Sequence, residues 1–308
     1  MILTLTVNPA IDHNVTADRL VFEDRAYILS TDESAGGRGI NAARVIHAFG
    51  GKTLAILTSG GKTGARLEGL LRALGFPVQI APIRREIRTN LTITDKQGLT
   101  VKLNEAGPRI DPPELDGLEK ITMAQLENAS WLMLCGSLPP GVPGDFYGRL
   151  IVAARRRKVR TLLDTDGEAL RSGIAAKPTV LHANQEEAER LLNKAMLTRA
   201  HFLEAAGKLQ ELGAGSVVLS LGSRGAIGVN AGSRLEALPP RVEALCPIGA
   251  GDALAAAFTW AMSKRGSFEE ALRWGVAAGT ACAQLPGVSF PSLRQTEQVY
   301  AQVEVRAT

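Results

Sequence analysis

Apolar runs of strand length alternate along the chain with stretches of helical period that close on glycine. "ILTLTV" precedes a helix over 40–49 and Gly50-Gly51, "TLAIL" precedes a helix over 63–74 and Gly75, and "PVQIAPI" follows. The same alternation returns later. "SWLMLCG", a helix over 144–157, "RTLLD", "TVLHA", helices over 184–193 and 200–212, and "SVVLSLG" continue it. Short apolar strands separated by crossover helices predict a mostly parallel sheet covered on both faces, a three-layer α/β/α chain.

Two segments break the rhythm. Residues 12–34 and 86–106 read as short polar–apolar alternations without a crossover helix, and "RTNLTITDKQGLTVKLNE" reads as a hairpin turning at Asp95-Lys96-Gln97-Gly98. Strands outside the α/β alternation but interleaved with it predict a small accessory sheet, a lid over the strand ends where ligands bind. The expected organisation is one domain over 1–308 with that lid as a sub-domain.

Composition narrows the possibilities. The chain has 308 residues and is 45% hydrophobic, enough to bury a large core. Cys135, Cys246 and Cys282 stand at no metal or redox spacing, and their odd number argues against a disulfide framework. A reducing, cytoplasmic setting is the expectation. The four histidines, His13, His47, His182 and His201, are scattered, which predicts no protein-bound zinc. The first segment, "MILTLTVNPAID", carries no basic leader and turns polar too soon for a signal sequence or membrane span. A net charge of +4 suits an anionic partner, nucleic acid or a phosphorylated metabolite. The densest basic run, Arg155 to Lys158, ends a predicted helix, where cations favour the helix dipole; it reads as a solvated face. Aromatic content of 5% without stacking clusters speaks against a nucleic-acid-binding module.

Glycine turns carry the candidate chemistry. "GGKTG" at 60–64 lacks the first glycine of a phosphate-binding Walker loop, because position 56 is Ile56. "GAGDAL" lacks the third glycine of a dinucleotide fingerprint, where Leu254 stands. "AGGRGINAARVI" and "CPIGAGDALAAAF" each run from a glycine turn directly into a helix, where bare N–H groups approach a ligand closely. Asp252 at the second helix start reads either as a cap or as a proton acceptor. Asp12, after the Asn8-Pro9 turn, reads as a loop cap or as a carboxylate for hydroxyls, and Asn41 adds a polar group in the first turn of its helix. An acid to take a proton, beside amides to steady an oxyanion, is what phosphoryl transfer requires.

The signatures "AGGRGIN" and "PIGAGDA" resemble those of the ribokinase-like (PfkB) carbohydrate kinases. "TVNPAID", "IRTN", "GSLPPGVPGDFY", "LDTDGEAL", "ANQEE" and "SLGSRGA" follow in the order of the hexose-phosphate branch, which holds 1-phosphofructokinase, tagatose-6-phosphate kinase and the minor 6-phosphofructokinase. The resemblance implies a ribokinase-like fold with a β-sheet lid, ATP and Mg²⁺ as cofactors, and homodimers paired through the lid. It implies that Asp252 is the base and that Gly249, Ala250 and Gly251 form the anion hole. Asp12, Gly36, Gly37 and Asn41 match the sugar-hydroxyl positions. Arg88 matches the residue that holds the substrate's own phosphate, helped by Lys102, Arg25 and Arg38. Asn184, Ser220, Gly222 and Gly225 fall at the nucleotide, and Asn184 and Glu187 match a motif that holds Mg²⁺ through water. Asn184 and Glu187 also have the spacing of a capping pair.

Six positions at four sites depart from the family pattern: Arg38 stands where many relatives have lysine, Tyr27 where some have arginine, His182-Ala183 replaces Lys-Pro, and Cys246-Pro247 replaces a polar pair. The leading expectation is a kinase of the 1-phosphofructokinase type acting on a ketohexose phosphate, with 6-phosphofructokinase or tagatose-6-phosphate kinase as alternatives. A kinase of an unphosphorylated sugar or nucleoside is more distant, because a neutral substrate needs no cationic clamp such as Arg88 and Lys102.

Overall fold

A computed structural model describes residues 1–21 and 23–308; Phe22, within the 12–34 segment, lies outside the described residues. The chain opens with β1 (Ile2–Thr6), β2 (Ala10–Ala17), β3 (Ile28–Gly36), α1 (Arg38–Ala48), β4 (Thr53–Ser59), α2 (Gly61–Leu74) and β5 (Val78–Pro82). It continues through β6 (Arg88–Asp95), β7 (Thr100–Asn104), α3 (Pro112–Gln125), β8 (Trp131–Cys135), α4 (Phe146–Arg156), β9 (Arg160–Asp164) and α5 (Gly167–Ala175). Then come β10 (Val180–Asn184), α6 (Gln185–Leu192), α7 (Arg199–Glu211), β11 (Ser216–Ser220), β12 (Ala226–Val229) and β13 (Arg234–Leu238). α8 (Ala250–Ser263), α9 (Phe268–Ala283), α10 (Leu293–Tyr300) and β14 (Glu304–Ala307) complete it.

Among the described residues, ten strands form the large sheet in the order β14-β13-β12-β11-β10-β9-β8-β1-β4-β5. The run from β11 to β5 is parallel, and the β12, β13 and β14 pairings are antiparallel. Period-two alternation explains the unbroken apolar runs of the central strands. Leu132 and Leu134 of β8 pack into one core, while Trp131, Met133 and Cys135 pack into the other, so both faces are buried. Helices α2 to α7 cover the first face, and α1, α8, α9 and α10 the second. Chain order reverses between β1 and β8, since β1 leads to β4 and β5 on one side and β8 to β11 extend the other. Ligands of open α/β sheets bind at such a switch point, outside the carboxyl ends of the strands.

The two segments that interrupt the alternation build a separate four-stranded sheet ordered β3-β2-β6-β7. It is mixed, with β2 parallel to β6 and the other pairs antiparallel. Its hairpin turn is organised by Asp95, whose Oδ1 accepts from the amides of Gln97 and Leu99, each at 2.9 Å. Register sorts the side chains by face. Ser34, Asp12, Asn90 and Asn104 form one cross-strand row, and Thr31, Val15, Ile93 and Val101 form a row on the other face.

Helix ends differ from expectation by one or two residues, and α3, α5, α9 and α10 add to the predicted set. α9 packs between α8 and α10, with Ala271, Leu272, Val276 to Ala278 and Ala281 all inside.

Candidate active site

At the switch point the lid sheet, α1 and the start of α8 enclose a cavity of about 250 Å³. The lid contributes Asp12, Asn90, Asn104 and Arg88 to its walls, α1 contributes Arg38 and Asn41, and the α8 start contributes Gly249 and Asp252. Asn8 and Ser137, just beyond β1 and β8, also line it. Side chains more than two hundred residues apart therefore face one space.

Gly249 is the N-cap of α8 and takes a left-handed conformation, with φ 84°. That turn starts the helix at Ala250. The Ala250 amide donates to Pro247 O at 3.2 Å, and among the described residues the amides of Gly251 and Asp252 have no main-chain acceptor. Open helix-end amides of this kind suit an anion. A Cβ at Gly249 would lie 2.8 Å from Phe290 Cζ in addition to the strained φ. Gly249→Ala is expected to lower kcat at least about tenfold while leaving the far-ultraviolet circular dichroism intact, because small displacements of an anion hole cost rate before they cost fold.

Asp252 sits in the first turn of α8, and its Oδ2 accepts from Asn41 Nδ2 at 2.7 Å. Burial raises its pKa, the charge of Asp164 raises it further, and Asn41, Arg38 and His182 only partly oppose this, so it lies at about 7. A carboxyl poised there is matched to taking a proton near neutrality.

On the opposite wall, Asp12 Oδ1 accepts from Asn90 Nδ2 at 2.8 Å. Burial raises the Asp12 pKa against the pull of Asn90, Arg88 and Lys102. Gly36 allows the approach of these strands, since a Cβ there would fall 2.4 Å from the Asp12 carboxyl. Arg88 Nη1 donates to Glu105 O at 2.9 Å and Nη2 to Asn8 O at 3.0 Å. Its Nε, Asn8 Oδ1 and Asn90 Oδ1 are buried polar atoms without a hydrogen-bond partner. Orphaned donors and acceptors around one cavity fit a ligand rich in hydroxyl and phosphate oxygens.

Arg38 is placed differently from the other cations. Its Nη1 donates to Asp164 Oδ1 at 2.8 Å, and its Nη2 lies 3.1 Å from Asp166 Oδ2 and 3.0 Å from Glu187 Oε1. Asp164 Oδ2 in turn faces the buried His182 Nδ1 at 3.4 Å. Burial alone would raise the Asp164 pKa, but His182 and Arg38 outweigh it and hold it down at about 2. Glu187 and Asn184 form a reciprocal capping box at the start of α6, each amide donating to the other side chain at 2.9 Å. Glu187 Oε2 serves that cap, while Oε1 is buried without a hydrogen bond and faces the Arg38 charge. The capping role and a role toward a cation thus use different oxygens.

The remaining predicted residues lie apart from the cavity lining. Ser220 ends β11 beside Asn184, in register with it, and Gly222 and Gly225 turn with φ 60° and 89° just beyond. Lys102 is exposed on the lid face that carries Asn104, and its charge reaches Asp12. Arg25 is exposed and outside the lining. Asp164, Asp166, Asn8, Asn90 and Asn104 were not singled out from the sequence. The pair Asp164 and Asp166 did carry a signal, acids placed directly at the carboxyl end of the apolar strand "RTLLD".

A parallel sheet with a lid, an acid at a helix start and unpaired amides beside it together define a phosphotransferase with an alcohol group as acceptor. The profile of pfkB family carbohydrate kinases matches residues 5–295. The chain belongs to that family. It is 32% identical over 303 residues to the ATP-dependent 6-phosphofructokinase isozyme 2 of Escherichia coli K12, covering 97% of this chain and 98% of the relative. It is 31% identical over 286 residues to the 1-phosphofructokinase of Borreliella burgdorferi, covering 92% of each. The structure of Escherichia coli phosphofructokinase-2 in complex with substrates and products superposes with a TM-score of 0.91 at 33% identity, over 98% of both chains. No helix among the described residues is long and apolar enough to cross a membrane.

Proposed function

We propose that the protein transfers the γ-phosphoryl group of ATP to a hydroxyl of a ketohexose phosphate, in the manner of a 1-phosphofructokinase. The 32% identity to a 6-phosphofructokinase keeps fructose 6-phosphate as the second reading, with tagatose 6-phosphate beside it. One observation carries the proposal: the acid Asp252 and the cation Arg88 line the same cavity from different elements. Asp12, Asn41 and Asn90 offer acceptors and donors to the sugar hydroxyls, and Arg88 holds the phosphate the sugar already bears. Asp252 takes the proton of the attacking hydroxyl as its oxygen bonds to the γ-phosphorus and the bond to the leaving ADP breaks. The Gly251 and Asp252 amides steady the charge on the transferring oxygens.

Asp164, Asp166 and Glu187 are hard oxygen donors suited to Mg²⁺, with Glu187 Oε1 buried and free of hydrogen bonds. Among the described residues no three His, Cys, Asp or Glu side chains are grouped so as to hold a metal ion by themselves. Mg²⁺ arriving with the nucleotide neutralises phosphate charge that would otherwise repel Asp252. Asn184, Ser220, Gly222 and Gly225 form the strand-end ledge proposed for the nucleotide. The free thiols of Cys135, Cys246 and Cys282 suit a reducing cytoplasm.

The test is a panel of ketohexose 1- and 6-phosphates with ATP and Mg²⁺, run beside free fructose and adenosine. Turnover of at least one phosphorylated ketose well above the neutral compounds is expected; activity on only the neutral ones refutes the reading. We further propose a homodimer through the outer lid face, where Val101 is 40% and Leu103 55% exposed. Leu103→Asp is expected to convert the dimer to monomer in light scattering; an unchanged mass, or a wild-type monomer, refutes it.

A further inference from the structure

The guanidinium of Arg38 touches Asp164, Asp166 and Glu187 at once, at 2.8, 3.1 and 3.0 Å. These acids come from the carboxyl end of β9, the N-cap of α5 and the first turn of α6. Arg38 itself is the first residue of α1, and its side chain runs from the cavity wall to these acids. The side chain is 29% exposed, while those of Asp164 and Glu187 are only 4% and 6% exposed. Two nearly buried carboxylates and a third at the rim are stable together only beside a compensating cation. Arg38 supplies that cation from within the chain.

The same geometry commits the Arg38 guanidinium to these acids while its side chain remains on the wall of the sugar cavity. Its ion pairs are with Asp164, Glu187 and Asp166, the last of which also lines the cavity, whereas Arg88 makes no ion pair among the described residues and is hydrogen-bonded to the carbonyls of Glu105 and Asn8. An anion on the sugar therefore meets Arg88 as an uncommitted cation and Arg38 as one already surrounded by negative charge.

We propose that Arg38 is an internal counter-cation that occupies the divalent-cation carboxylates of the nucleotide-free enzyme and is released toward the transferring phosphoryl group when the metal arrives with ATP. It keeps free Mg²⁺ off Asp164, Asp166 and Glu187 until a nucleotide brings it. With a metal's charge beside those acids, the guanidinium would be freed to turn to the incoming phosphoryl oxygens, for which its planar fork is suited. Arg38 is in this sense a positioning residue for the carboxylates first and a charge partner of the transferred group second. The inference rests on the placement of the metal acids given under the proposed function.

The experiment measures Mn²⁺ binding to the nucleotide-free and sugar-free enzyme by electron paramagnetic resonance, beside steady-state kinetics of the same proteins. In Arg38→Ala we expect Mn²⁺ affinity to rise at least about tenfold over wild type, and the gain to vanish in the double variant with Glu187→Gln. In kinetics we expect kcat to fall about a hundredfold or more, with the KM of the sugar phosphate within about threefold of wild type. Arg38→Lys is expected to lie between the two in Mn²⁺ affinity, since one ammonium cannot hold three acids in a fork; it reads the same quantity should the alanine variant not fold. Unchanged Mn²⁺ affinity overturns the proposal, as does a large rise in sugar-phosphate KM at preserved kcat, which would return Arg38 to the substrate's own phosphate. The metal measurement needs no substrate, so it stays readable even if the substrate panel refutes the ketohexose phosphate reading.

Discussion

Asp252→Asn is expected to lower turnover about 10³-fold or more while raising the melting temperature at pH 8 by about 2–6 °C. Both effects have one source. Burial and the charge of Asp164 push the Asp252 pKa from 3.8 to about 7, so the folded protein holds a proton that the unfolded chain has already lost. Between those two values the native state binds more protons, and stability falls as pH rises; above about 7 the whole cost of ionising the buried acid is present. Asparagine removes that cost and preserves the contact with Asn41, whose Nδ2 donates at 2.7 Å to an oxygen that the amide retains. The stabilisation should therefore fade as pH is lowered from about 7 towards about 4 and vanish only below about pH 3, where the acid is protonated in both states. Asparagine also cannot accept the hydroxyl proton, which is why the rate falls. Differential scanning calorimetry at pH 4, 6 and 8 and single-turnover kinetics check the two halves separately. Equal melting temperatures at pH 8 would show that Asp252 is ionised without penalty, and near-normal turnover would remove it as the base.

Arg88→Ala is expected to raise the KM for the sugar phosphate about 10- to 100-fold with kcat reduced much less, the pattern of a lost uniform binding contact. Arg88 is anchored by two carbonyls rather than by a carboxylate, so its charge is available to a ligand. Removing it also leaves Glu105 O and Asn8 O without their donor, so Arg88→Lys serves as the companion variant. An ammonium keeps the charge and part of the bonding but not the fork, and should recover part of the affinity. Any residual turnover of free fructose should be unaffected by either change, because no phosphate is there to be held. A fall in kcat at constant KM would instead place Arg88 at the transferred group.

Much of this site was readable in one dimension because its chemistry is local. The turn from Gly249 into α8 places Asp252 at a helix start, and the turn at Gly36-Gly37 opens α1 at Arg38, through backbone geometry that neighbouring residues dictate. The capping box of Asn184 and Glu187 is likewise written in a three-residue spacing. Asn90 was invisible by such means. It matters because β2 and β6 pair in a register that sets it against Asp12, a contact across 78 residues of chain.

Strand and helix periods and left-handed glycines are properties of short stretches, so the alternating α/β architecture, the interruption that forms the lid and the two glycine turns follow from the order of residues alone. That Arg38 pairs with Asp164, Asp166 and Glu187, while Arg88 makes no ion pair among the described residues, emerges only when the chain is folded. So does the titration of Asp252 near neutrality. The reason is that charge interactions depend on distance and burial, and both are set when β1, β8 and β9 bring their carboxyl ends together beneath the lid.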